Sequence, residues 1–205
     1  MYVITADQVD SRRRRDAVAA TLERLVAAHS PSLPLPPERT AGDELQLATP
    51  SARTALTIVL DLSRAGDWSV GVGCGDARLG AGIRESSGPA FIAARRAVER
   101  AKRTPTRAAV ETEPPSVAAS DLGALLDLLL LLRARRTDEG WELYDLLDRG
   151  ATQAEAAGTL GISPQAASDR AIAAGLRQDR AATEALVRLL ARLDDSSPHH
   201  ETGGT

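Results

Sequence analysis

At Glu113-Pro114-Pro115-Ser116 the sequence changes character, and that change sets what the chain can fold into. A proline pair interrupts helices and ladders alike, so it marks a loop between elements. Before it, strand-like and helix-like stretches alternate; after it, every segment reads as helix. The 205 residues divide accordingly into an α+β domain over 1–112, a linker over 113–120 and an all-helical domain over 121–193. The polar, Gly-bearing stretch 194–205 is expected to be a disordered tail.

Composition narrows the classes. The chain has 37 Ala and 27 Leu against five aromatic residues, which favours closely packed helices and excludes a base-stacking platform for single strands. Its longest leucine run, Leu128 to Leu132, is far short of the ~20 apolar residues that span a bilayer. No secretory leader is read at the start, and no membrane partner is expected. The lone Cys74 excludes a disulfide framework, and His29, His199 and His200 are too scattered for a zinc cage. A reduced, cytoplasmic protein is the expectation.

In the first domain, Tyr2 to Ala6 reads as a strand, and Asp10 or Ser11 as the cap of a helix carrying Val18, Leu22, Leu25 and Val26. Thr40 to Leu47 reads as a hairpin around Gly42-Asp43, Ser51 to Arg64 as a helix, and Trp68 to Gly75 as a strand. A helix starts at Gly88-Pro89 and runs to about Arg103, and Arg107 to Glu111 forms a last strand. The order is β-α-β-β-α-β-α-β, a sheet with helices on one face. In the second domain, Asp121 to Arg136 is apolar nearly all round, with Leu122, Leu125, Leu126 and Leu129 on one side and Leu128 and Leu131 elsewhere. Such a helix is buried or dimeric, and a homodimer through it is expected.

Candidate chemistry in the first domain is carboxylate chemistry. Asp7 follows a strand and Asp43-Glu44 occupies a hairpin turn, so the three acids are candidate Mg²⁺ ligands, since this ion takes few protein oxygens alongside waters and phosphates. Gly42 lets a ligand approach the backbone, and helix amides beginning at Asp10 and Ser11 are candidate phosphate donors. Four arginines, Arg12 to Arg15, follow directly; they read as a solvated face or a phosphate contact. The chain writes Arg at 24 cationic positions and Lys once, at Lys102. That lysine is a candidate phosphate contact, because Arg does not replace its compact charge.

The segments Ile4-Thr-Ala-Asp7-Gln-Val-Asp10-Ser11, Ala41-Gly-Asp43-Glu44-Leu, Val70-Gly-Val-Gly-Cys-Gly75 and Ser87-Gly-Pro-Ala-Phe-Ile-Ala-Ala-Arg95 resemble, in this order, the SatD family of bacterial proteins over residues 1–112. More distantly they are similar to the palm-type (ferredoxin-like) domain of nucleotidyl and diguanylate cyclases. The resemblance implies that Asp7, Asp43 and Glu44 match metal-holding acids and that Lys102 matches a lysine that meets phosphate. Ala41 and Leu45 depart from the diguanylate cyclase signature, and Ile92 stands where class III cyclases place a transition-state asparagine. The implied domain binds a nucleotide with Mg²⁺ and is catalytically degenerate.

In the second domain, Thr152 to Gly175 resembles bacterial helix-turn-helix units of the sigma-region-four and MarR-like kinds. Thr152 and Glu155 form a capping box, Leu160-Gly161-Ile162-Ser163 makes the turn, and Ser163 with Pro164 starts the next helix. The resemblance implies that Gln165 and Ser168 face base edges of double-stranded DNA, with Arg170, Arg177 and Arg180 as phosphate contacts. Charge opposes this: residues 1–111 carry 16 cations and 13 carboxylates, whereas 112–205 carry 9 and 15. A DNA-binding regulator with a nucleotide-sensing domain is the leading expectation. The alternatives are a Mg²⁺-dependent nucleotidyl-transfer or nucleotide-hydrolysing enzyme, and a protein-interaction module.

Overall fold

The computed structural model describes residues 1–11 and 16–195; Arg12–Arg15 and the tail from residue 196 lie outside the described residues. The protein is mixed α+β, with a five-stranded mixed sheet and, among the described residues, eight α-helices. Its contacts divide it into two compact units, one of Met1–Asp127 with the chain from Leu186, the other Leu128–Ala185.

The sheet of the first unit contains β1 (Tyr2–Gln8), β2 (Glu38–Arg39), β3 (Glu44–Thr49), β4 (Trp68–Cys74) and β5 (Ala108–Thr112), in the order β2-β3-β1-β4-β5. β1 is central and antiparallel to both β3 and β4, while β4 and β5 run parallel. Helices α1 (Val18–His29), α2 (Ala52–Leu62) and α3 (Pro89–Ala101) connect the strands. The hairpin turn at Gly42-Asp43 is present, with Gly42 at a φ of 55° that glycine adopts without strain.

Two glycines of β4 determine how α3 sits. A Cβ on Gly71 would lie 2.2 Å from Val98 N, and one on Gly73 would lie 2.0 Å from Ala90 O. The α3 backbone therefore rests directly on the strand, and its inner face is built of small residues, Ala90, Ala93, Ala94, Ala97 and Ala101. Val3 and Ala48 join this contact on one side, and Ala109 on the other.

The opposite face carries Tyr2, Ile4, Ala6, Leu45, Leu47, Val70 and Val72, all buried. There Gln8 Oε1 accepts from Ala17 N at the start of α1, and Thr49 Oγ1 donates to Ser32 O just past its end. Arg24 of α1 pairs in turn with Asp61 of α2. Helices thus cover both faces of the sheet rather than one, because the central strands are apolar on both sides. Cys74 lies on this buried side, and burial pushes its thiol up to about 12.

The expected linker is largely structured. Ser116 Oγ accepts from Ala119 N, so α4 begins at Val117 and runs to Ala134. Its first part belongs to the sheet unit, as does the end of α8 (Leu176–Asp195). Ala119, Leu122 and Leu126 are buried on α4, Leu186, Leu190 and Leu193 on α8, and Tyr2 Oη donates to Leu190 O at 3.2 Å. The boundary expected at 113–120 therefore moves into α4, and Leu125, expected on the buried side, is 46% exposed.

The second unit holds the rest of α4 and α8 with α5 (Asp138–Asp148), α6 (Gln153–Leu160) and α7 (Pro164–Ala173). Thr152 and Glu155 form a capping box, Gly161 ends α6 at φ 65°, and Ser163 caps α7 with Pro164 at its first position. The core of this unit is ionic as well as apolar. Arg133, Arg136 and Asp179 are 6%, 7% and 3% exposed, and the Asp179 carboxylate accepts from both guanidinium groups. Arg136 Nε also donates to Ala174 O, and both arginines stack on the Trp141 and Tyr144 rings, 4.3–5.0 Å from guanidinium carbon to ring centre.

Two measurements check these contacts by chemical denaturation. Gly73→Ala forces a methyl into the α3 backbone and is expected to lose about 3 kcal/mol. Asp179→Asn leaves two buried arginines without their shared anion, with an expected loss of about 3–5 kcal/mol.

Candidate functional site

One row of polar side chains crosses the end of the sheet on the face covered by α3. Glu44 of β3, Asp7 of β1 and Ser69 of β4 are cross-strand partners in register, and Arg107 immediately precedes β5 beside Ser69. The middle and the C-terminal end of α3 set cations over this row. Lys102 Nζ lies 3.1 Å from Asp7 Oδ2 and 2.8 Å from Glu99 Oε1, and Arg95 Nη2 lies 3.7 Å from Glu44 Oε1. Thr40 Oγ1 donates to Glu44, and two residues farther along each strand, on the same face, Gln46 Nε2 donates to Thr5 Oγ1 at 2.8 Å.

The electrostatics follow from this pairing. Burial pulls the Lys102 ammonium down, but hydrogen bonds to Glu99 and Asp7 outweigh it and hold its pKa above the usual lysine value. Lys102 in turn lowers the pKa of Glu99. Arg107 donates from Nη1 to Ser69 Oγ at 3.3 Å, and it adopts a φ of 52°, which L side chains disfavour.

Of the sequence-predicted residues, Asp7, Glu44 and Lys102 come together here. Asp43 stands in the adjoining turn, where its carbonyl accepts from Gln8 N at 3.1 Å. Gly42, at the turn's apex, has open space where a Cβ would point. Among the described residues no three Asp, Glu, His or Cys side chains gather to hold a metal ion. The carboxylates of Asp7 and Glu44 face Lys102 and Arg95 instead. Asp10 and Ser11 cap no helix among the described residues. Among the described residues the first helix begins at Val18, whose N–H donates to Asp16 Oδ1 at 2.9 Å, and Asp10 lies in a turn at φ 53°. The amides expected to receive phosphate there belong to Arg12–Arg15 and lie outside the described residues. Ser69, Arg95 and Arg107 belong to the row and carry no local sequence signal, since their partners lie 38 or more residues away.

On the helical unit, Gln165 is exposed and its Nε2 donates to Asp169 Oδ1 at 2.9 Å. Ser168 is half-buried. Arg170 does not stand free; it turns onto α5, donating to Glu139 O at 3.4 Å with Glu142 at 3.7 Å. Arg177 and Arg180 are exposed, with no ion pair among the described residues. The outward face of α7 consists of Gln165, Ala166, Asp169, Ile172 and Ala173, which include no cation.

Comparison with protein-family models, with curated proteins and with solved structures gives no match. No helix among the described residues is long and apolar enough to cross a membrane.

The Lys102 pairing is open to a pH test. Because its folded pKa is raised, its contribution is fully present below the unfolded value of about 10.4 and is lost as pH rises through the folded value. Lys102→Met is expected to be less stable than wild type by about 0.5 kcal/mol at neutral pH, a small figure because the groups are partly exposed. In denaturant titrations from pH 8 to 12 that difference should shrink toward zero.

Proposed function

We propose that the chain is a two-unit regulator, with an α+β unit that binds a nucleotide with Mg²⁺ and a helical unit that docks on double-stranded DNA through α7. The observation that carries the DNA reading is the α6–α7 corner. A capping box starts the first helix, a left-handed Gly161 ends it, and Ser163-Pro164 launches a second helix whose first turn presents Gln165 to solvent. Charge weighs against this reading: Asp179 is buried with both Arg133 and Arg136, which removes two cations and one acid from the surface. Arg177 and Arg180 follow α7 and supply phosphate contacts, while Gln165 and Ser168 read bases.

The palm-type reading of the α+β unit is supported by the central position of β1, antiparallel to β3 and β4, with Asp7 at its end. Adjacent Asp7 and Glu44 would offer the few carboxylate oxygens that Mg²⁺ takes from a protein, and Lys102 beside Asp7 would add a positive charge for a phosphate-bearing ligand. Leu128 and Leu131, 64% and 49% exposed on one side of α4, support a homodimer that pairs two DNA-docking units.

A second reading, protein contact through α7, is favoured by one observation: Ile172 is 74% exposed on a helix face without cations. Fluorescent duplex DNA titrated at varied salt, with and without Mg²⁺ and nucleotide, separates the two. DNA docking predicts binding at about 50 mM salt that weakens as salt rises. Arg177→Gln should lower the salt slope by about one, and Gln165→Ala should cost roughly 1–3 kcal/mol at the preferred site alone. No binding of any fragment at low salt leaves the protein-contact reading standing.

A further inference from the structure

One stripe of α4 is exposed along most of the helix and is close to being its own complement. At about 100° per residue, Asp121, Ala124, Leu125, Leu131 and Arg135 all lie within roughly 60° of the Leu128 direction. All six residues are exposed. Arg135 follows the last helical residue directly, in a closing turn where its N–H donates to Leu132 O at 3.3 Å. The stripe is balanced about its middle. Leu125 and Leu131 stand on either side of Leu128 at equal spacing in the sequence, and so, two turns out, do Asp121 and Arg135. Neither of these end charges has a side-chain partner among the described residues.

We propose that this stripe seats a second copy of the chain, in an antiparallel pair of α4 helices with Leu128 on the two-fold axis. In that register Leu128 meets Leu128 of the second copy, and Leu125 and Leu131 flank the contact on its two sides. At each end Asp121 faces Arg135 of the second copy. Charge selects both the orientation and the register. A parallel pair sets Asp121 against Asp121 and Arg135 against Arg135. An antiparallel pair displaced by one turn sets the charges opposite apolar side chains instead. Only the pairing centred on Leu128 joins the exposed leucines and neutralises both ends. The inference rests on the homodimer reading of α4 and assigns the orientation, the register and the end charges of that pairing.

The test uses the full chain, with mass read by light scattering and sedimentation at micromolar concentration and low salt. Asp121→Arg and Arg135→Asp are each expected to weaken the wild-type dimer about tenfold or more, because each sets like charges together at both ends. The double variant, with the charges exchanged, should restore the dimer. Leu128→Cys should form a disulfide between copies when oxidised with copper phenanthroline. Ala134→Cys, exposed on α4 but about 120° from the Leu128 direction, should not. Cys74 is buried and adds no background. If wild type is a dimer but the single variants associate as well as it does, or the double variant no better than the single ones, the proposal falls while the homodimer reading stands. Leu128→Cys crosslinking no better than Ala134→Cys overturns it in the same way. If wild type is a monomer, both the proposal and the homodimer reading fail.

Discussion

The α3 backbone lies against β4 at a separation that only glycine permits, and the sheet-end row depends on that separation. Gly71 and Gly73 leave no side chain between strand and helix, and the alanines of α3 fill the remaining space. Close approach fixes the axis of α3, and with it the positions of Arg95 at its middle and Lys102 at its end. Lys102 reaches Asp7 and Arg95 reaches Glu44 because the helix carrying them cannot ride higher. A bulkier strand would keep the same fold class and separate the charges. Packing of the smallest residues thus places the most polar ones.

The helical unit solves a different problem with a different interaction. Its α7 packs through small residues, with Ala167 buried, and these bury little area per contact. Arg133, Arg136 and Asp179 join α4 to α8 within the unit, and the Trp141 and Tyr144 rings lie against the guanidinium planes. Buried charges are sensitive to the removal of a partner but give directional bonds that apolar contacts lack. This arrangement also redistributes the surface charge: two cations and one acid that composition counts as external are internal, which leaves the surface more acidic by one.

Much of the architecture was legible in the sequence, and what was not follows a physical pattern. The strand and helix order, the Gly42-Asp43 turn, the Thr152–Glu155 capping box and the Ser163-Pro164 start all depend on neighbours within four residues, and the structure has each of them. The sequence offers Asp10 or Ser11 as the cap of α1, whereas the described helix starts at Val18 with Ala17 before it and Asp16 accepting from Val18 N. The extent of α4 was misread because Pro114-Pro115 signals a break but not that Ser116 caps a helix at once. At the site, Asp7 and Lys102 were singled out separately by type and position; their contact, spanning 95 residues of chain, has no local signature. The roles of Ser69, Arg107 and Asp179 were hidden for the same reason.

The sheet unit is discontinuous in sequence, and that has a consequence for how the molecule is made. Tyr2, at the start of the central strand, bonds to Leu190, and the unit takes Leu186, Leu190 and Leu193 from the end of α8. During synthesis, β1 leaves the ribosome first but waits for these residues until nearly all the described chain has been made. The helical unit, encoded between the two parts and held by contacts closer in sequence, is complete earlier. The order of completion is therefore the reverse of the order in which the two units begin, and the apolar surface at Tyr2 that the end of α8 covers stays open through most of translation.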